Sequence, residues 1–95
     1  MIVVRNCFLA KPGQASKLAR MFKEVADAAQ IPGRRVLTDF TGDFNRVIFE
    51  YEAQDLGEFE TRMHEYANNP VFAQKMAGYT DLYITGSREI LRVVD

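Results

Sequence analysis

Apolar positions recur along this chain with two different periods, and the switches between them divide it into seven elements. Residues 2–9 (IVVRNCFL) are rich in β-branched and aromatic side chains and run into Lys11-Pro12-Gly13, which predicts a strand closed by a turn. Ile2, Val4 and Phe8 fall on one of its faces, and Val3, Cys7 and Leu9 on the other. A strand that is apolar on both faces is covered on both. From residue 14 to 29 the spacing changes to three and four: Ala15, Leu18, Phe22, Val25 and Ala29 form one stripe, with Lys17, Arg20, Lys23, Glu24 and Asp27 mostly away from it. That is an amphipathic helix. Ile31-Pro32-Gly33 ends it, because proline has no N–H to continue the ladder.

Residues 35–41 and 44–52 read as two strands joined through Gly42-Asp43 as an antiparallel hairpin. On the second strand Val47, Phe49 and Tyr51 share one face, while Arg46, Ile48, Glu50 and Glu52 share the other. Asp55 followed by Glu58 is a capping-box pattern, and Leu56, Phe59, Met63, Tyr66 and Ala67 supply a helical stripe behind it. Asn69-Pro70 starts another helix, asparagine as N-cap and proline in the first turn. Its stripe is Phe72, Met76, Tyr79 and Tyr83, with Gly78 costing about 1 kcal/mol relative to alanine and Gly86 as C-cap. Residues 88–94 alternate as a last strand, Ile90 and Val94 opposite Leu91 and Val93.

The order β-α-β-β-α-α-β predicts an α+β, ferredoxin-like plan with an extra helix: a four-stranded antiparallel sheet with helices on one face. The other face is left bare, and it carries apolar side chains whichever register the strands take. A patch of that kind is normally covered. A chain of 95 residues buries only about 60% of its unfolded surface, so a second copy also supplements a thin core. The expectation is a single domain spanning 1–95 that forms a homodimer through the open sheet face.

Composition narrows the possible partners. The chain is 47% hydrophobic and 26% charged with a net charge of −1, which suits a globular protein and offers no electrostatic footprint for nucleic acid. No apolar run approaches the roughly 20 residues needed to cross a bilayer. A single cysteine, Cys7, excludes an internal disulfide framework; with no signal-like segment, this points to a cytoplasmic protein. Residues 1–40 carry a charge of +4 and residues 41–95 a charge of −5, an asymmetry that suggests complementarity across a dimer seam or around a pocket mouth. Phosphate-loop, dinucleotide, nucleophile-elbow and RNA-binding signatures are all missing.

His64 is the one side chain that titrates near neutrality in its unperturbed state, which makes it the candidate acid or base. It lies about 100° round the helix from the apolar stripe, one turn after Glu60, with which it could share a proton. One histidine without further nitrogen or sulfur ligands makes no metal site, and no metal is expected. Cys7, mid-strand among apolar neighbours, reads as a small core residue. The richest feature is aromatic. Tyr51, Tyr79 and Tyr83 would line a cavity between helices and sheet, with Asn6, Arg46 or Glu50 as polar counterparts, a setting for a small aromatic ligand.

The strand that ends in Lys11-Pro12-Gly13 and leads straight into a helix, together with the closing Gly86-Ser87-Arg88-Glu89-Ile90-Leu91-Arg92, resembles the NIPSNAP-like branch of the dimeric α+β barrel superfamily. In element order the resemblance covers essentially the whole chain. It departs from the group in having no tryptophan, where such chains often place one before the last strand; Tyr79 and Tyr83 stand there instead. The resemblance implies a ferredoxin-like protomer whose sheets pack face to face as a dimeric α+β barrel, with no catalytic set to carry over and no cofactor. The wider superfamily adds an alternative, a cofactor-independent monooxygenase of the quinone-forming type acting on small aromatic substrates. In that case His64 would be the base and Asn6 or Tyr51 would orient the substrate.

Overall fold

A computed structural model of the chain describes residues 1–95. The elements are β1 (Ile2–Ala10), α1 (Ala15–Ala29), β2 (Arg35–Thr38), β3 (Arg46–Ala53), α2 (Leu56–Ala67), α3 (Pro70–Lys75), a 3₁₀ turn (Tyr79–Asp81) and β4 (Tyr83–Arg92). The strands form one antiparallel sheet in the order β2-β3-β1-β4, the ferredoxin-like arrangement, with β1 and β3 in the middle. The bulk of the core is inward-facing sheet residues against α1: Val4, Ala10, Val47, Phe49 and Tyr51 meet Leu18, Phe22, Val25 and Ala26. Leu18, Phe22 and Val25 of the expected α1 stripe are packed, whereas its last member, Ala29, is exposed and Ala26 is buried instead.

The α2 cap forms as its sequence predicts. Asp55 Oδ1 accepts from the Glu58 N–H at 2.8 Å, and the Glu58 carboxylate accepts from the Gln54 N–H at 2.7 Å. The first bond satisfies an amide that the helix's first turn leaves without a partner, and the second ties Glu58 back to the residue before the cap. Asn69 Oδ1 caps α3 by accepting from the N–H groups of Val71 and Phe72.

Three sequence expectations are corrected. The β2–β3 connection is wider than a Gly42-Asp43 hairpin and takes in residues 39–45. Asp39 Oδ1 accepts from the Arg46 N–H at 2.9 Å and closes the loop, while Gly42 (φ 95°) and Asn45 (φ 67°) turn the chain out of the ladder. The helix begun at Pro70 does not run to Tyr83. It ends at Lys75, and Gly78 adopts φ 81°, a left-handed geometry that interrupts a helix instead of merely weakening it. Tyr79 then sits on the 3₁₀ turn and Tyr83 opens β4.

Nor is Gly86 a C-cap. It lies within β4 opposite Phe8, and a Cβ there would come within 3.0 Å of the Phe8 ring, so the strand can pass the ring closely only without a side chain.

Candidate functional site

Helices α1, α2 and α3 and the inner face of the sheet border an open-mouthed cavity of about 340 Å³. Its floor is the sheet: Phe49 and Tyr51 from β3, Asn6 and Phe8 from β1, and Arg88 from β4. Phe22 and Val25 of α1, with Ile31, close one side; Met63 and Tyr66 of α2 with Phe72 and Met76 close the other. These aromatic rings touch one another. Phe22 stacks on Phe49 with centroids 5.2 Å apart and meets Phe8 at 4.9 Å, while Tyr66 stacks on Phe72 at 4.9 Å. The walls are therefore stiff ring faces, and the amide and the charge, Asn6 and Arg88, sit together on the sheet, while Tyr51, Tyr66 and Tyr79 add phenol hydroxyls.

Strand pairing explains the polar end. Asn6 pairs in register with Phe49 on one side and with Arg88 on the other, so all three side chains leave the same face of the sheet. Asn6, 6% exposed, donates from Nδ2 to the Phe49 carbonyl at 3.2 Å and accepts at Oδ1 from Arg88 Nε at 2.7 Å. The Arg88 guanidinium also lies over the Phe59 ring, 5.3 Å from its centroid. The Tyr51 hydroxyl donates to the Met63 sulfur, at 3.7 Å.

Burial pushes the Tyr51 phenol above its usual pKa, against the smaller opposing pulls of Asn6, Arg88 and Arg62. Burial likewise raises Tyr66 and Tyr79. All three are neutral hydroxyls at physiological pH, donors and acceptors but not bases.

Of the residues singled out in the sequence, the structure brings Asn6, Tyr51 and Tyr79 together at the cavity. Tyr83 stands behind the wall, packed on Phe8 at 4.9 Å and Tyr79 at 5.9 Å, and does not line it. His64 is on the solvent side of α2. Its side chain is 75% exposed, and Nε2 lies 4.0 Å from Glu60 Oε1. The 100° offset from the apolar stripe turned it outward, because α2 rests on the core only through Phe59, Met63, Tyr66 and the half-buried Arg62. Arg62 itself binds the Glu52 carbonyl and the Glu58 carboxylate. No group of three or more His, Cys, Asp or Glu side chains is placed to hold a metal ion.

Glu50 and Arg46 point away from the cavity, on the outer face of the sheet. Glu50 is nonetheless buried, because Arg5 Nε and Arg35 Nε donate to its two oxygens at 2.7 and 3.0 Å and cover it. Arg5 also lies 3.8 Å from Glu89. The basic N-terminal half and the acidic remainder thus meet inside one protomer, across strand pairs.

Burial pushes the Glu50 carboxyl up, but the two arginines outweigh it and hold it below the usual glutamate range. A carboxylate lowered on folding contributes stability that is present above its unfolded pKa, about 4.3, and lost as pH falls through the folded value. Stability should therefore fall more steeply below about pH 4.3 in the native chain than in Glu50→Gln. Urea melts across that range check this; parallel curves would remove Glu50 from the acid response.

Arg88 is the site residue that sequence reasoning missed as a site residue. Alternation puts it on the same face as Ile90, but only the β1–β4 register, with Ile90 opposite Val4 and Arg88 opposite Asn6, shows that this face is the inner one.

No protein-family model and no curated protein sequence matches the chain. The likeness lies in structure. An uncharacterised NIPSNAP domain protein from Burkholderia xenovorans superposes with a TM-score of 0.84 at 14% identity, over 99% of this chain and 95% of that one. A NIPSNAP family protein from Agrobacterium tumefaciens gives 0.85 at 16% identity, over 99% and 93%. The chain has the NIPSNAP-type fold. A protein described as a putative antibiotic biosynthesis monooxygenase, from Deinococcus radiodurans, shares that NIPSNAP-type arrangement less closely, with a TM-score of 0.71 at 17% identity over 100% of this chain and 94% of that one.

Proposed function

We propose that residues 1–95 act as one dimeric α+β barrel unit that binds a small hydrophobic or aromatic ligand between its helices and its sheet. The observation that carries this reading is the 340 Å³ cavity, ring-walled and mainly apolar. It falls within the size range of small-molecule sites and has their usual make-up, a mainly apolar lining with a few convergent polar groups. The dimer is supported by the outer sheet face, where Val3, Cys7, Leu9, Leu37, Ile48 and Leu91 stand side by side around the Glu50 cluster. No helix is long and apolar enough to cross a membrane, and the single thiol of Cys7 is in keeping with a reducing, cytoplasmic setting.

Quinone-forming oxygenation has less behind it. Its candidate base, His64, faces solvent away from the cavity, and the ionisable groups that do line the cavity are three neutral phenols and a guanidinium. None of these takes a proton from a substrate at neutral pH.

The test uses naphthalenemethanol, a neutral two-ring probe, in calorimetric titration. Ala73 lines the cavity, and Ala73→Phe should fill part of it, weakening binding at least about tenfold while the melting temperature stays within about 4 °C. Equal binding by the filled variant would mean that the probe sits elsewhere and that the cavity is only a packing void.

A further inference from the structure

The polar end of the cavity is asymmetric in charge. Arg88 is its one charged lining residue, and no aspartate or glutamate accompanies it. Arg88 forms no ion pair within the chain, which is also true of Arg20, Arg46 and Arg92, but it is the one arginine that lines this cavity. Its single hydrogen bond inside the protein is the one from Nε to Asn6 Oδ1, which leaves Nη1 and Nη2 without acceptors. The side chain is held in place all the same. Asn6 is buried and tied by its own Nδ2 to the Phe49 carbonyl, so its amide presents oxygen to Arg88 in a fixed direction, and the Phe59 ring supports one face of the guanidinium.

A guanidinium fixed through Nε offers its remaining edge, two parallel N–H donors on Nη1 and Nη2, to an acceptor that is itself a two-oxygen fork. Arg88 is exposed at the edge of this ring-walled space, and with no counter-ion in the chain its Nη1/Nη2 edge is open to a ligand that brings a negative charge.

Resting on the binding reading above, we propose that the cavity is selective for aromatic monocarboxylates. The ring packs between Phe22, Phe49 and Phe72, and the carboxylate is received by the Nη1/Nη2 edge of Arg88. Asn6 is a positioning residue here: it acts on the ligand only through Arg88. Tyr51 and Tyr79 line the same cavity as neutral hydroxyls.

The experiment compares naphthoate with naphthalenemethanol, two probes of matched ring size that differ in charge, by calorimetric titration of the native chain, Arg88→Met and Arg88→Lys. The expected result is that the native chain binds naphthoate at least tenfold more tightly than the alcohol. In Arg88→Met the naphthoate affinity should fall at least tenfold and the preference over the alcohol should vanish. Arg88→Lys, which keeps the charge but not the fork, should recover only part of it. Near-UV circular dichroism matching that of the native chain shows that the variants are folded. Equal affinity of the native chain for both probes, or a preference that survives in Arg88→Met, overturns the carboxylate proposal and leaves the cavity reading standing. Binding of neither probe at millimolar concentration overturns both.

Discussion

Replacing Phe22 with alanine is expected to destabilise the protein by about 3–5 kcal/mol, the usual cost of removing a buried phenylalanine. Phe22 is 3% exposed and contacts more of the ring cluster than any other α1 residue: it stacks on Phe49, meets Phe8 at 4.9 Å and turns its edge to Tyr79 at 6.2 Å. The space left behind would open into the existing cavity, and no neighbouring ring can move in without abandoning its own stacking. Small domains typically have about 5–15 kcal/mol in total, and each kcal/mol moves the melting temperature by roughly 4–8 °C. A fall of more than about 12 °C in a calorimetric melt is therefore expected. Val71→Ala, at a position 57% exposed, should stay within about 0.5 kcal/mol of the native chain. A loss below about 1 kcal/mol for Phe22→Ala would show that the ring cluster does not hold α1 to the sheet.

The second large effect concerns assembly. Ile48 lies in the middle of the outer sheet face, in register with Cys7 on β1 and Leu37 on β2, two residues from Glu50 on the same side. If two sheets pack through this face, Ile48→Glu sets a new carboxylate beside a charge cluster already complete in itself, and two-fold symmetry repeats the penalty. In sedimentation the native chain is expected at twice its 10.9 kDa, and the variant as a monomer at concentrations at least a hundredfold higher than the native dissociation constant, a difference of about 2.8 kcal/mol. Near-UV circular dichroism should be unchanged, because the inner face is untouched. A native chain that sediments as a monomer at micromolar concentration, or a variant that stays dimeric, rejects the outer face as the seam.

Much of the fold could be read from local chemistry. The strand over β1, the stripe of α1, the capping box of Asp55 and Glu58 and the Asn69-Pro70 start all have causes within a few residues, and all form. Errors arose where a local pattern has two structural solutions. Phe72, Met76, Tyr79 and Tyr83 are spaced for a helix, yet a short helix, a left-handed glycine, a 3₁₀ turn and a strand also bring them to one core. Gly86 resembled a cap because its real constraint, the Phe8 ring on the neighbouring strand, is 78 residues away in the chain.

Site residues were harder for the same reason. Asn6, Tyr51 and Tyr79 were legible as polar or amphipathic groups on inward faces. Glu50 was assigned to the cavity by composition, although alternation along β3 already set it opposite Tyr51. Arg88 needed the β1–β4 register, which no window of sequence contains.

That register also has a temporal side. β1 occupies the centre of the sheet, yet Arg88, which β1 must meet to complete its second ladder, follows Asn6 by 82 residues. At about 5–20 residues per second on the ribosome, roughly 4–16 s separate the synthesis of the two. For all of that interval the nascent chain carries an apolar strand with an unpaired hydrogen-bonding edge, the condition that invites mispairing and chaperone capture. Closing the sheet then means joining distant parts of the chain, which is slow compared with forming either long helix. The bond that steadies Arg88 for a ligand is in this sense also the latch of the fold, and a chain halted before β4 would have neither.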